Sequence, residues 1–373
     1  MNKILYIIND LDFFISHRLP IAVAAKKAGH KIYIGSSSNS KNIRKIKRLG
    51  FKFYPIPISR SKKNLLKELV LLISLFFVFI RVRPDIVQLI TIKPLIYGGI
   101  ISRILNIKLT IFTIAGLGYV YNNNNYYLRK IVLYLLKFSL NQKRCVLIMQ
   151  NPSDMYYLKK EKVIKNQKII FTKGSGIDLN KYKPKKKNNS TSIILASRMI
   201  REKGIFEFSE AAKNFYKYNK YVKFILIGKH DPESPSHIPY ETLRNFNNKK
   251  DYPNLKWIGF KKDIIKYIQN STVVVLPSYH EGVPKVLLEA AACGKPIIAS
   301  NIGGCKEVVE ENKNGLLIKI KNVKSLENSF IKILSNKKKL VKMGKYSRSK
   351  ALKEFGLEKV VYKHLEQYKL DKI

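Results

Sequence analysis

Short apolar runs recur along the chain, with segments of helical period between them. KILYIIN, HKIYIGSS, DIVQLIT and LTIFTIAG each border a stretch whose apolar positions follow a helical repeat. That alternation predicts parallel strands joined by helical crossovers, because parallel neighbours need a connection longer than a hairpin. A second series, KIIFTKGSGID, SIILASR, KFILIGK, LKWIGF, TVVVLPS and PIIAS, repeats the same grammar. The expected fold class is α/β, with two Rossmann-like doubly wound parallel-sheet domains in tandem and a cleft between them. Glycine, proline and a charge run between Lys173 and Pro184 mark the boundary. This predicts an amino-terminal domain over 1–170, a carboxyl-terminal domain over 171–352, and a last helix over 353–373 that packs back across the domains. The asparagine run at 122–125 and the lysine run at 185–187 predict exposed loops.

One apolar run is longer than a strand. LVLLISLFFVFI, Leu69 to Ile80, has 12 residues, against about 20 for a bilayer-spanning helix. It is expected not to cross a membrane. Lys62, Lys63 and Lys67 before it and Arg81 and Arg83 after it suit an apolar face laid into an anionic interface; a helix buried against a sheet accounts for the pattern equally well.

Composition adds a bias in partners. The chain has 373 residues, enough for two domains, and 46% of them are hydrophobic, a globular composition. Lys and Arg outnumber Asp and Glu 71 to 25, a formal charge of +46 that favours anionic partners such as phosphates, nucleic acid or acidic lipid. Much of that excess follows from a bias toward Lys, Asn and Ile that would decorate any fold. Cys145, Cys293 and Cys305 show no metal-ligand spacing and cannot pair evenly, which predicts a reduced, cytoplasmic setting. The opening MNKILYIINDLDFF is read as a first strand, since Asn9, Asp10 and Asp12 interrupt it and no small-residue cleavage site follows.

Candidate chemistry gathers in SYHEGVPKVLLEAAACGKPIIAS. The strand VVVLPS ends at Pro277, a loop carries Glu281, Gly282 and Val283, and Pro284 suits the first turn of a helix bearing Glu289. The carboxyl ends of parallel strands form the ligand edge of such sheets. N–H groups at a helix start suit phosphate, and carboxylates beside them suit vicinal hydroxyls. In ASRMIREKGIFEF, the strand SIILAS delivers Arg198 and, five residues on, Lys203 ahead of Gly204. Two such cations at a strand end can hold a diphosphate, Arg through its planar fork and Lys as a point charge.

Taken together, Arg198 with Lys203-Gly204, the GSGID of Gly174 to Asp178, and Glu281 with Glu289 in EGVPKVLLEAAACGKPII resemble the retaining glycosyltransferases of family four, which have the GT-B fold. The resemblance covers almost the whole chain. SRSKKN from Ser59, AGLGYVY from Ala115, SGIDL and KHDPESPS look like bacterial members that extend lipid-diphosphate-linked sugars, N-acetylgalactosaminyltransferases among them. It implies a hexosyltransferase that moves a hexose or N-acetylhexosamine from a nucleoside diphosphate sugar, UDP-linked, to a lipid-linked saccharide in surface glycan assembly. Within it, Arg198 and Lys203 would neutralise the departing diphosphate, Glu289 would bind ribose hydroxyls, and Glu281 would bind the donor sugar. Gly174, Gly282, Val283 and Pro284 would complete the donor site. The resemblance implies front-face attack without metal or cofactor, so Glu281 is not assigned as a nucleophile.

The acceptor is expected on the amino-terminal domain, near His17, Arg18, Arg60, Gly116 and Gly118. The sequence departs here from many members, with neither a glycine-rich first loop nor a histidine near Gly116. Two rival classes are weaker. A nicotinamide-dependent oxidoreductase needs a G-x-G-x-x-G after the first strand, and GLGYVY lacks the third glycine. A nucleic-acid-binding protein would suit the charge, but no binding motif accompanies it, and no nucleic acid partner is expected. The charge is better matched by a peripheral enzyme on the anionic inner face of the cell membrane.

Overall fold

The computed structural model describes residues 1–37, 40–58, 65–118, 125–185 and 190–370. Arg60, the Lys62 and Lys63 flank, the SRSKKN segment, the end of AGLGYVY, the asparagines at 122–124 and the lysines at 186–187 lie outside the described residues.

The chain divides into two units, one formed by 1–175 with 358–373 and the other by 176–357. In the first, β1 (Lys3–Asp10), β2 (Lys31–Ser37), β3 (Lys52–Pro55), β4 (Ile86–Ile90), β5 (Leu109–Ile114), β6 (Cys145–Met149) and β7 (Lys168–Phe171) form one sheet in the order β3-β2-β1-β4-β5-β6-β7. Every pairing is parallel. The order reverses between β1 and β4, so the loops after these strands diverge and leave a crevice edge. In the second, β8 (Ser192–Ala196), β9 (Lys223–Ile227), β10 (Leu255–Trp257), β11 (Val273–Leu276), β12 (Ile297–Ser300) and β13 (Gly315–Ile318) run β10-β9-β8-β11-β12-β13. There the order reverses between β8 and β11, the strands that precede Arg198 and Glu281.

Central strands are buried on both faces, as β4, β5, β6, β8, β11 and β12 show by having every residue buried. Separate apolar clusters line the two faces of each sheet.

One expectation needs correction. KIIF does not open the second series: Lys168–Phe171 pairs with β6, from Val146↔Lys168 to Met149↔Phe171, as an edge strand of the first sheet. The division falls after Ser175, within the Lys173–Pro184 stretch, and helix Lys337–Glu354 continues past 352. The physical reason is a pair of adjacent crossings. The Ile177 N–H donates to the Phe355 carbonyl at 2.8 Å and the Leu357 N–H to the Ile177 carbonyl at 3.0 Å, tying both segments into the second unit. Residues 358–373 then join the first unit, where Val360 and Tyr368 enter its core.

Helix Leu65–Val82 extends the predicted apolar run to 18 residues. Leu71, Leu75, Val78, Phe79 and Val82 are buried, while Leu66, Leu69, Val70, Ile73, Phe77 and Ile80 are exposed. Among the described residues no helix is long and apolar enough to cross a membrane.

Candidate active site

The second unit brings Lys203 and Glu281 together from segments 78 residues apart. Lys203 Nζ ion-pairs with Glu281 Oε1, and the two side chains are only 18% and 13% exposed. Backbone geometry fixes this meeting. Arg201–Lys203 is a single 3-10 turn closed by Gly204 at φ +68°. A Cβ at Gly204 would lie 2.3 Å from the Pro277 carbonyl oxygen, so the segment after β8 passes directly over the end of β11 where a side chain has no room. The Glu202 carbonyl accepts from the Tyr279 N–H at 2.8 Å and the Ser278 Oγ at 3.0 Å, joining the two loops.

Behind the Glu281 loop, a Cβ on Gly304 would sit 1.3 Å from the Gly282 carbonyl oxygen. The GG pair at 303–304 is thus a sequence signal for the loop's close support, one that motif matching passed over. Gly282, Val283 and Pro284 are buried. Pro284, expected in the first helical turn, is instead the extended N-cap of helix Lys285–Ala292, with φ −68° and ψ 124°. Its carbonyl accepts from the Leu287 and Leu288 N–H groups at 3.1 and 3.3 Å. Pro284 itself brings no side-chain cap, and the helix start carries a partial positive charge at the strand edge.

Glu289 follows on the same helix and is 7% exposed. Burial raises its pKa above the ordinary carboxylate range, while Lys285, the Tyr182 hydroxyl and Lys181 work in the opposite direction. Tyr182 donates to Glu289 Oε1 at 3.0 Å. Burial also lowers the pKa of Lys285, with Glu289 opposing and Lys181 reinforcing the shift. Tyr182 is held in turn by Arg348, whose Nη1 donates to the Tyr182 and Ala292 carbonyls at 2.8 Å each and whose Nη2 reaches the Leu179 carbonyl at 3.3 Å. Sequence reasoning missed both residues. Tyr182 lies four positions after the Asp178 that ends GSGID, a usable signal; Arg348 is one cation among 71 and carries none.

Arg198 is placed differently. Its side chain is 51% exposed, and Nη1 donates to Asp231 Oδ2 at 2.9 Å. Among the described residues no group of three or more His, Cys, Asp or Glu side chains is placed to hold a metal ion.

The residues expected to meet an acceptor belong to the first unit. His17 stacks on Phe13 at 4.1 Å with an interplanar angle of 9°, and its Nδ1 is 2.7 Å from Ser16 Oγ. Gly116 follows β5 at φ +121°, and Gly118 is half-buried close by. Arg18 corrects an expectation: it is completely buried, its three guanidinium nitrogens have no hydrogen-bond partner among the described residues, and it is not at the surface where a diphosphate would arrive. Burial lowers its pKa to about 10, with Tyr368 and Tyr6 opposing. Gly174, expected beside the donor, is buried in the first unit at φ +63°, where its N–H donates to the Thr172 carbonyl at 2.9 Å.

Comparison with known proteins covers both units. Residues 3–151 match the family model described as "Glycosyl transferase 4-like", and residues 177–350 match "Glycosyl transferases group 1". The chain is 26% identical over 385 aligned positions to the N,N'-diacetylbacillosaminyl-diphospho-undecaprenol alpha-1,3-N-acetylgalactosaminyltransferase of Campylobacter jejuni, covering 95% of this chain and 97% of the relative. It is 28% identical to the UDP-Gal:alpha-D-GlcNAc-diphosphoundecaprenol alpha-1,3-galactosyltransferase of Escherichia coli, over 84% of this chain and 82% of that one. Among solved structures, Anabaena Alr3699/HepE in complex with UDP superposes with a TM-score of 0.78 at 17% identity, over 98% of this chain and 99% of that one. With one match on each doubly wound unit, the chain belongs to the glycosyltransferases, a 4-like unit followed by a group 1 unit in the GT-B fold.

Proposed function

We propose that this glycosyltransferase moves a hexose or N-acetylhexosamine, with retention, from a UDP-sugar to a lipid-diphosphate-linked saccharide in surface glycan assembly. The observation that carries it is the Lys203–Glu281 pair at a sheet's switch point, beside the start of the helix that leads to buried Glu289. The names of the undecaprenol-linked relatives and the UDP-bound neighbour support the same substrates.

In this scheme the bond between the sugar's anomeric carbon and the diphosphate oxygen breaks, and negative charge accumulates on the departing UDP. Lys203, Arg198 and the helix start stabilise that charge, the main catalytic term where the leaving group is an anion. The acceptor hydroxyl bonds to the same carbon from the same face and gives its proton to the departing phosphate. Glu281, held by Lys203, binds the donor sugar. Glu289 accepts from ribose hydroxyls, with Tyr182 orienting one of its oxygens.

Calorimetry with UDP, GDP and ADP tests this. Saturable UDP binding is expected, weakened about 10- to 100-fold by Glu289→Ala, the worth of one or two hydrogen bonds to a charged group. Because donated hydroxyls favour the carboxylate, binding must remove a proton once pH drops below the raised pKa of free Glu289. UDP affinity therefore falls as pH decreases through that range, and Glu289→Gln flattens the dependence. Absence of UDP binding at any pH would sink the proposal.

The cytoplasmic membrane face is the proposed location, with an anionic bilayer as partner. The exposed side of helix Leu65–Val82 supports it, as does helix Tyr126–Leu140, whose Tyr127, Ile131, Tyr134 and Phe138 form an exposed stripe at helical spacing. Both helices pack into the same core cluster and so cover the same face of the first sheet. In flotation with phosphatidylglycerol vesicles, Phe76→Ser with Phe77→Ser should lower the bound fraction at least tenfold, given about 1.5–3 kcal/mol per buried Phe. Unchanged flotation would count against this surface.

A further inference from the structure

Arg198 and Lys203 both already have carboxylate partners, and the two pairs are built differently. Lys203 and Glu281 are largely covered. Arg198 gives Asp231 one N–H, at 2.9 Å, and keeps half of its side chain exposed, whereas Asp231 is only 17% exposed. Asp231 sits on a loop after β9 that is stitched along the segment carrying both cations. Met199 pairs with His230 and Ile200 with His237 as isolated bridges. The Met199 N–H donates to the Lys229 carbonyl at 3.1 Å and the Arg201 N–H to the Ser236 carbonyl at 3.0 Å. Ser236 Oγ donates to the Glu202 carboxylate.

We propose that Asp231 is a positioning residue for the donor diphosphate, pinning Arg198 through a single N–H and leaving the rest of the fork for phosphate oxygens. This rests on the donor site proposed above. A guanidinium carries five N–H donors, so one bond to Asp231 fixes the group while most donors stay in hand. An unpinned Arg loses several side-chain rotations when it grips a ligand; a pinned one has already lost them. Asp231 also repels the diphosphate, so its two effects oppose each other and separate in variants. An amide keeps the pin and removes the charge, and a methyl group removes both.

UDP is the leaving group itself, so its dissociation constant is the readout. Asp231→Ala should weaken UDP binding about 3- to 10-fold, the range for immobilising one long side chain. Asp231→Asn should restore wild-type affinity or exceed it. In a double-mutant cycle, adding Asp231→Ala to Arg198→Ala should cause no further loss, and at most a small gain from the removed repulsion, because the pin acts through that guanidinium. A loss that persists in the Arg198→Ala background, failure of Asn to rescue, or Asp231→Ala binding UDP as well as wild type would each overturn the role of Asp231 while leaving the donor site standing. No UDP binding by the wild-type chain would overturn both. Should Asp231→Ala misfold, Asp231→Asn decides the matter: UDP affinity at or above wild type is expected, and a loss with Asn would overturn the role of Asp231.

Discussion

Lys203→Ala is expected to lower kcat/KM about 10²- to 10³-fold in transfer from the UDP-sugar, the usual effect of removing one fixed donor from a developing anion. Two losses combine. The departing diphosphate loses a cation held in place by Gly204 and the loops around it, and Glu281 loses its ion-pair partner in a largely covered position. An unpaired carboxylate there repels the diphosphate, so the affinity for UDP falls as well. Lys203→Arg should recover part of the rate, since charge is kept but its position shifts. The check is steady-state kinetics on variants whose melting matches wild type; a kcat/KM within threefold of wild type in Lys203→Ala would remove Lys203 from the catalytic machinery.

Removing residues 358–373 is expected to abolish folding of the first unit while 176–357 stays protected from proteolysis and hydrogen exchange. The deleted segment carries Val360, His364 and Tyr368, all buried in the first unit. The Tyr368 hydroxyl lies 2.8 Å from that of Tyr6 and donates to Gln88, whose Nε2 donates to Thr113 Oγ1 at 3.0 Å, so a polar chain links three central strands. Tyr368→Ala alone should cost about 3–5 kcal/mol, a large share of the 5–15 kcal/mol that stabilises a typical domain. Acid adds to the effect. Burial lowers the pKa of His364 to about 3, with Arg18 reinforcing the shift. The unfolded chain then binds a proton that the folded one refuses, so this contribution is complete above the ordinary histidine pKa and is lost as pH falls from there toward 3. Protection of the first unit undiminished by the deletion would refute this.

The doubly wound sheets were legible because buried parallel strands read as unbroken apolar runs. KIIF was legible as a strand but not as a member of the first sheet, since four residues carry no record of which neighbour they pair with. EGVPKVLLE was legible because a loop and helix start at a strand end concentrate chemistry in consecutive residues. Arg18 was not, because a lone Arg beside a His reads as surface, and its burial depends on a chain segment some 350 positions away. Arg348 shares that difficulty: it acts through carbonyls brought in by tertiary packing, and a sequence with 71 cations gives no means of singling it out.

The interleaving of the two units sets an order of assembly during synthesis. A ribosome adding about 5–20 residues per second makes roughly 200 more residues after Ser175 before the first unit has its full complement, a delay of about 10–40 s. The contiguous unit from Gly176 to Leu357 is complete sooner. The half made first is therefore the half finished last, and for that interval the face of its sheet bearing Ile4, Tyr6 and Ile8 lacks the cover of Val360 and Tyr368. A nascent chain in this state presents apolar strand surface to chaperones, on the face of the sheet opposite the one that, in the proposed function, meets a lipid.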